Sequence, residues 1–368
     1  MIEIDGSYRE GGGQILRTAL SLSCLFRKPF RIFNIRKGRK RPGLMPQHIT
    51  SVRAARLLSD AEVVGDHAGS TELLFSPKEA ISGDFFFDIG TAGSTSLVLQ
   101  TLIPAIVLSP YHPHLGKRGM KEGEYIEVKL PNNKSTISLK GGTHVPFSPS
   151  FHYLGEVFAP FLKLTGIDIQ LSIDSFGFYP KGGGKIRADI FPIKGLKPVR
   201  VMERGNILKL RGYSCVGNLP ISIAERQRNA LVERIYSQIK DLPVPVDIDV
   251  LIVPSPGQGT FLFLQAESEN SVAGFTSLGE RGKKAETVGE DAAIEFLRYY
   301  STGAALDPHL SDQIVLYLSV CKDESVFTTS SITEHLMTNL WVIGLFHEYR
   351  YSVEGVVGHP GTVRINAL

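Results

Sequence analysis

The sequence predicts an α/β fold built from repeats. It comprises three βαβαββ-type units that form a large domain, with a smaller α/β domain inserted between parts of it. Three observations predict this. The order strand, loop, helix, strand, loop, helix, hairpin comes round over residues 1–80, again from Phe85 to Phe191, and a third time from about 305 to the end. Each helix follows a loop of glycine, serine, threonine or proline, the residues that punctuate regular structure. Near Pro198 the series is interrupted by a stretch with its own strands and a helix of mixed charge.

In the first unit, Ile2 to Asp5 reads as a strand and YREGGGQILRTALSLSCLF as a glycine turn feeding a buried helix that ends at Phe26. A strand from Phe30 to Ile35 leads through RKGRKRPGLMPQH to a helix over His48 to Ser59, with Pro46 where a helix can begin. Alternating residues at Glu62 to Val64 and Glu72 to Phe75, separated by HAGS, make a hairpin. The second unit runs through a strand at Phe85 to Ile89, the loop GTAGSTS, an apolar helix from Leu97 to Leu108 and a strand at Ile137 to Lys140. It continues with GGTHVPFSPS, a helix from Phe151 to Thr165, and a hairpin of Ile167 to Ile173 with Lys185 to Phe191. Between Ser109 and Lys134 lies a polar excursion that the first unit lacks.

The interruption carries strands at Ile207 to Tyr213, Val246 to Val253 and Thr260 to Ala266, and helices at Ile223 to Lys240 and Glu286 to Tyr300. We therefore assign residues 1–199 and 305–368 to the repeat domain and 200–304 to the insert. In the third unit DPHLSDQ opens a helix ending near Val320, Val326 to Thr328 is a strand, SSITEH opens a helix to Phe346, and Tyr351 to Ile365 is a hairpin. Six loop-to-helix junctions result. If the units pack around one centre, the six helix starts converge there, each with positive partial charge.

Composition bounds the function. With 42% hydrophobic and 21% charged residues, the 368-residue chain is of ordinary globular type. A net charge of +3 is too small to make the whole surface attract polyanions, so any such ligand must meet a local patch. Arg36, Lys37, Arg39, Lys40 and Arg41 supply one. Cys24, Cys215 and Cys321 are odd in number and widely spaced, giving neither a disulfide framework nor a metal pattern. The amino end lacks a signal peptide's basic start and apolar run, and Thr95 to Leu108 is too short to cross a bilayer. A cytoplasmic protein, or a nuclear one, is expected.

Chemistry concentrates at the junctions. The first carries Glu10, Gln14 and Arg17; the second Arg36, Arg39, Gln47 and His48; the third ends in Gln100; the fourth has Pro146; the fifth has His309, Asp312 and Gln313; the sixth has His335. Capping alone would be met by Ser, Thr or Gly, so recurring functional side chains point to one shared site. Gly11, Gly12 and Gly13 leave backbone N–H groups open to an anion. Glu10 could hold Mg²⁺ between nucleotide oxygens, and Arg17 could fork onto phosphate. His335 falls in the first turn of a helix that Ser331 or Thr333 could cap, where the positive helix end keeps imidazole uncharged and nucleophilic.

These segments resemble the RNA 3′-terminal-phosphate cyclase family. The matching stretches are EGGGQILR (Glu10 to Arg17), the arginine loop through PGLMPQH, TAGSTSLVLQ (Thr91 to Gln100), GGT followed by Pro146, FYPKGGG (Phe178 to Gly184), ERG at Glu203 to Gly205, the Asp312 and Gln313 pair, and EHLMTN (Glu334 to Asn339). Similarity spans nearly the whole chain, insert included. The resemblance implies ATP-dependent conversion of an RNA 3′-phosphate end to a 2′,3′-cyclic phosphate, with His335 as the nucleophile that takes AMP. It implies that Gln100, Pro146, Asp312 and Gln313 line the ATP site with His309 in the adenine pocket. It also implies that Glu10 ligates Mg²⁺ or Mn²⁺, and that Arg17, Arg36, Arg39, Gln47 and His48 contact phosphates of ATP or RNA. The rival readings are a non-catalytic cyclase-like RNA-binding factor for ribosome assembly, which would lack the histidine, and an enolpyruvyl transferase of similar repeat plan.

The family usually places a tyrosine where this chain has His309. Imidazole stacks on adenine over a smaller area, so His309→Tyr is expected to bind ATP more tightly. Equal affinity of the two proteins in a calorimetric titration would exclude the stacking role.

Overall fold

The computed structural model describes residues 1–108, 134–193 and 195–368, together with the backbone of 125–127. Apart from that short strand and Lys134, the polar excursion at 109–134 lies outside the described residues. The first unit consists of β1 (Ile2–Asp5), α1 (Gly13–Phe26), β2 (Phe30–Phe33), α2 (Pro46–Ser59), β3 (Glu62–Val64) and β4 (Leu73–Ser76). The second holds β5 (Asp84–Asp88), α3 (Thr95–Leu108), β6 (Tyr125–Glu127) and β7 (Ser135–Gly141). It continues with α4 (Phe151–Tyr153), a π turn (Leu154–Phe158), α5 (Ala159–Leu164), β8 (Ile169–Ser175) and β9 (Gly184–Ile190). A short strand, β10 (Arg200–Val201), precedes the interruption. The interruption is β11 (Ile207–Gly217), α6 (Ile221–Gln238), β12 (Val246–Ile252), β13 (Gly259–Ser268), β14 (Val272–Leu278) and α7 (Ala285–Thr302). The chain closes with α8 (Pro308–Leu318), β15 (Ser325–Thr329), α9 (Glu334–Phe346), β16 (Tyr349–Glu354) and β17 (Gly361–Ala367).

The repetition is visible in the sheets. Their orders are β1-β2-β4-β3, then β5-β7-β9-β8 with β6 added outside β5, then β10-β15-β17-β16. In each, the first two strands run parallel across a helical crossover and the last two form an antiparallel hairpin. The sequence reading of the third unit lacked its first strand. That strand is β10, which pairs with β15 through Arg200 and Val201 alone. Two residues leave no periodicity to read.

Helices close the arrangement into a ring. The second helix of each unit packs on the first helix of the next: α2 on α3, the π turn on α8, and α9 on α1. Their shared apolar surface includes Leu16, Leu20, Leu99, Leu102, Phe158, Ile314, Leu340 and Ile343, all buried. Burying each such side chain stabilises by roughly 1.5–3 kcal/mol.

The stretch between β10 and α8 folds around its own sheet, β12-β11-β13-β14, with α6 and α7 on one face. Alternation in β13 divides its side chains between two cores. Leu262, Leu264 and Ala266 face α6 and α7 with Leu231, Val288 and Phe296, whereas Phe261 and Phe263 enter the core of the three units. Pro160 explains the neighbouring π turn. It has no N–H to offer the Glu156 carbonyl, which instead accepts from Gln265 Nε2 on β13 at 2.6 Å. β14 was not read from the sequence because Gly274 and two hydroxyl residues interrupt its apolar pattern. A Cβ at Gly274 would stand 2.6 Å from Val157 Cγ2, so the strand needs glycine to approach the π turn.

Two histidines are buried at this contact. His144 Nε2 lies 2.9 Å from His152 Nδ1, and Phe176, Phe261 and Phe263 surround the pair. Burial lowers His152 to about 4 and takes His144 well below the usual imidazole range, His152 adding to the effect. The folded values lie below the unfolded value near 6.5. The histidines' contribution to stability is therefore complete above pH 6.5 and is lost as pH falls from there toward about 4. Chemical denaturation across that window should show a falling stability, and His152→Phe should flatten the slope by about 1.4 kcal/mol per pH unit. An unchanged slope would mean that His152 is protonated when folded.

Candidate active site

The six helix starts are linked in a circuit of contacts, each touching at least one other. Arg39, before α2, reaches Glu10, before α1, with Nη2 to Oε1 at 2.5 Å. Gln47 Oε1 on α2 accepts from Ser94 N before α3 at 3.3 Å, and Gln100 Nε2 on α3 donates to Gln313 Oε1 on α8 at 2.7 Å. Tyr153 on α4 donates its hydroxyl to Asp307, the N-cap of α8, at 2.8 Å. Asp312 on α8 accepts from Thr333 Oγ1, the N-cap of α9, at 2.5 Å. The circuit closes where Gln14 Nε2 donates to the His335 carbonyl at 2.8 Å and Arg9 pairs with Glu334.

His335 stands at the seam between the first and third units. Its Nε2 lies 2.5 Å from Glu10 Oε2, and its Nδ1 lies 3.7 Å from Asp312 Oδ2. Of the expected caps it is Thr333, not Ser331, that closes α9, accepting from Leu336 N at 2.9 Å. Burial lowers the His335 pKa; Glu10 opposes the shift, while Arg17, His309 and Arg39 reinforce it. Asp312 is buried, which raises its pKa well above the carboxylate range; Thr333 counteracts this, and Asp307 and Glu10 add to it. Nδ1 faces this buried carboxyl, so Nε2, on the side of half-exposed Glu10, is the nitrogen that can meet a ligand.

Cations crowd the other side. Arg17 is half-buried on α1, burial lowers it to about 10, and among the described residues its guanidinium has neither a carboxylate nor a hydrogen-bond acceptor. A desolvated, unpaired guanidinium is a strong site for phosphate. Arg36 spends Nη1 on the Arg41 and Gly43 carbonyls, both at 2.9 Å, and so fixes the arginine loop. His48 is buried, its Nδ1 accepting from Met45 N at 3.1 Å to cap α2. Burial, then Arg17 and Arg36, lower it to about 3, so it remains uncharged. Its Nε2 occupies the space beside Gly13, where a Cβ would stand 2.2 Å away.

Comparison with known proteins bears on this arrangement. A sequence profile of the RNA 3′-terminal phosphate cyclase family matches residues 8–353. RNA 3′-terminal phosphate cyclases of Sulfolobus acidocaldarius and Ignicoccus hospitalis are 43% and 42% identical to this chain. The alignments cover 96% and 100% of the chain and 97% and 99% of the relatives. The enzyme of that name from Methylococcus capsulatus is 39% identical over 100% of this chain and 96% of its own. The chain belongs to the RNA 3′-terminal phosphate cyclase family.

Several of the cyclase-family motifs fall on the junction ring, whereas FYPKGGG lies between β8 and β9 and ERG between β10 and β11. Glu10, Asp312 and His335 are in contact; Arg39 joins them through Glu10, and Gln100 meets Gln313. Gln47 holds the start of α3. His309 is exposed and presents its ring edge-on to Tyr153, centroids 6.3 Å apart. Pro146 is exposed on the loop before α4. Sequence reasoning grouped Asp312 with ATP ligands and did not foresee its place beside His335 Nδ1. It also missed the support beneath: Thr18 Oγ1 donates to Asn339 Oδ1, and Asn339 Nδ2 donates to the Asp312 carbonyl, at 2.8 and 2.7 Å. An asparagine in an apolar helix, at EHLMTN, was the available signal. Among the described residues no group of three or more His, Cys, Asp or Glu side chains is placed to hold a metal ion.

Gly13→Ala should destabilise the protein by roughly 1–3 kcal/mol, because the methyl group overlaps His48 Nε2. In a double-mutant cycle with His48→Ala the losses should sum to less than their parts. Strict additivity would show that the two residues are not in contact.

Proposed function

We propose that this protein converts RNA 3′-phosphate ends to 2′,3′-cyclic phosphates at the expense of ATP, through a covalent adenylate on His335. The observation that carries the reading is the His335 ring held between Glu10 and Asp312 at a helix start, with the guanidinium of Arg17, unpaired among the described residues, close enough to act on its charge. The names of the relatives and the family profile support it.

In this reading Nε2 attacks the α-phosphorus of ATP. The N–P bond forms as the bond to pyrophosphate breaks, in line. Attack from Nε2 requires the ring proton on Nδ1, the nitrogen that faces Asp312 Oδ2 at 3.7 Å. Glu10 must leave Nε2 before that nitrogen can react. Arg17 and Arg39 neutralise charge developing on the phosphate oxygens. A 3′-phosphate oxygen of RNA then attacks the adenylate, releasing the histidine and forming an RNA–adenylate anhydride. The neighbouring 2′-oxygen closes on the 3′-phosphorus and expels AMP. Ring closure needs little beyond orientation, because both reacting atoms belong to one nucleotide.

Glu10 is a single half-exposed carboxylate, which suits a divalent ion delivered on nucleotide phosphates better than one held in an all-protein cage. Bound there, Mg²⁺ or Mn²⁺ would supply charge neutralisation at the phosphates. Gln100 and Gln313 hold each other, and His309 and Pro146 stand exposed on neighbouring junctions; we assign all four to the nucleotide pocket. Among the described residues no helix is long and apolar enough to cross a membrane; the reading places the reaction on RNA in the cytoplasm. The repeat units form the catalytic domain in this reading, with the inserted segment in support.

Incubation with ATP labelled at the α-phosphate should give an acid-labile, base-stable adduct on His335. The His335→Ala protein should give none, and Asp312→Asn should slow labelling by roughly 10²- to 10⁴-fold. A wild-type protein that binds RNA without ever taking label would be a binding module instead.

A further inference from the structure

Phe147 is the most exposed large apolar side chain among the described residues, and its backbone has φ +61°. That left-handed conformation is unfavourable for a residue with a Cβ and is tolerated mainly by glycine and asparagine. Both features work against stability, yet the loop that carries them is rigidly built. Phe151 N donates to the Thr143 carbonyl at 3.0 Å, which closes the loop at its base. Ser148 Oγ donates to the Val145 carbonyl, and Ser150 caps α4 while meeting Thr276 Oγ1 of β14 at 2.9 Å. His144 is clamped below, stacked on Phe261 and bonded to Thr143 and His152. An aromatic ring is thus held in solvent at the tip of a fixed loop.

The place of the loop gives that ring a use. Its downstream end is Tyr153, which bonds Asp307 and meets His309 edge-on, so the loop stands on the start of α8. That start is one of the junctions contributing to the His335 cluster. Strain and exposure of this kind persist where function requires them. An exposed aromatic beside a nucleotide site is suited to stacking on a base, and every base presents a π face.

We infer that Phe147 is a nucleobase-stacking residue, seating the heterocycle of a nucleotide bound at this centre. The inference rests on the cyclase reading for the nature of the ligand. The heterocycle belongs either to ATP or to the 3′-terminal residue of the RNA, and binding separates the two. Phe147→Asn keeps a residue that accepts the left-handed backbone and removes the ring, so its melting temperature should not fall. Its affinity should fall roughly 5- to 100-fold, as for the loss of one aromatic–base stack. Phe147→Leu should behave likewise, and Phe147→Tyr should restore binding.

The probes are ATP, an RNA oligonucleotide with a 3′-phosphate, and the same oligonucleotide with an abasic terminal residue. Weakened ATP binding alone assigns the ring to adenine. Weakened RNA binding that disappears with the abasic probe assigns it to the terminal base. Unchanged affinity for ATP and RNA in Phe147→Asn, with a normal adenylate still forming on His335, would overturn the Phe147 assignment while leaving the cyclase reading intact. Absence of the adduct in the wild-type protein would count against the cyclase reading itself.

Discussion

The packing of each unit's second helix on the next unit's first is the constraint on which everything else rests. Three such contacts close a ring, and a closed ring brings the six helix starts to one place. None of them could be moved without exposing apolar surface such as Leu20, Leu99 or Ile343, which lie in the shared core. The site is therefore a by-product of burial. Apolar stripes choose the arrangement, and the polar side chains at the helix starts inherit a common address.

Converging helix starts also create an electrostatic problem. Each contributes positive partial charge, and Arg17 and Arg39 add full charges, so the centre favours anions. Glu10 pairs with Arg39 and His335, and Asp307 and Asp312 take up donors at the helix starts. Asp307 spends one oxygen on the N–H groups of His309 and Leu310 and on Tyr153. Asp312 is more deeply committed, accepting from Thr333 while its own carbonyl is held by Asn339, which Thr18 holds in turn. That chain of bonds crosses from α1 through α9 to α8 and fixes the carboxyl that faces His335. Among the described residues Arg17 has no such partner, which is the asymmetry the proposed phosphate site uses.

The repeats were legible in the sequence because each unit alternates apolar periodicities of two kinds between small-residue loops. Strands such as Ile2–Asp5 end, and helices such as Glu334–Phe346 begin, where their small-residue punctuation lies. What escaped was either too short, as β10, or stripped of its pattern by a packing need, as β14 with Gly274. The site was legible as a set of residue types at equivalent junctions. Their pairing was not, since Asp312 against His335 and Gln14 against the His335 carbonyl depend on how units one and three meet. Nor did the sequence distinguish Arg17 from Arg36, two arginines near glycine loops. Burial without a partner marks the first as available, and two loop carbonyls mark the second as a brace.

The inserted segment carries little chemistry of its own, yet it is not an appendage. β13 sends Phe261 and Phe263 into the core of the three units and Gln265 onto the carbonyl that Pro160 leaves open. Through Thr276 and Phe261 the same sheet props the loop from Thr143 to Phe151, the only junction of the second unit that projects an aromatic ring into solvent among the described residues. A loop held only by its own backbone bonds would sample many conformations and lose entropy when a ligand fixed it. Backed by a packed sheet, it has surrendered that freedom during folding, so in the proposed role of Phe147 the insert would aid ligand binding through rigidity rather than contact.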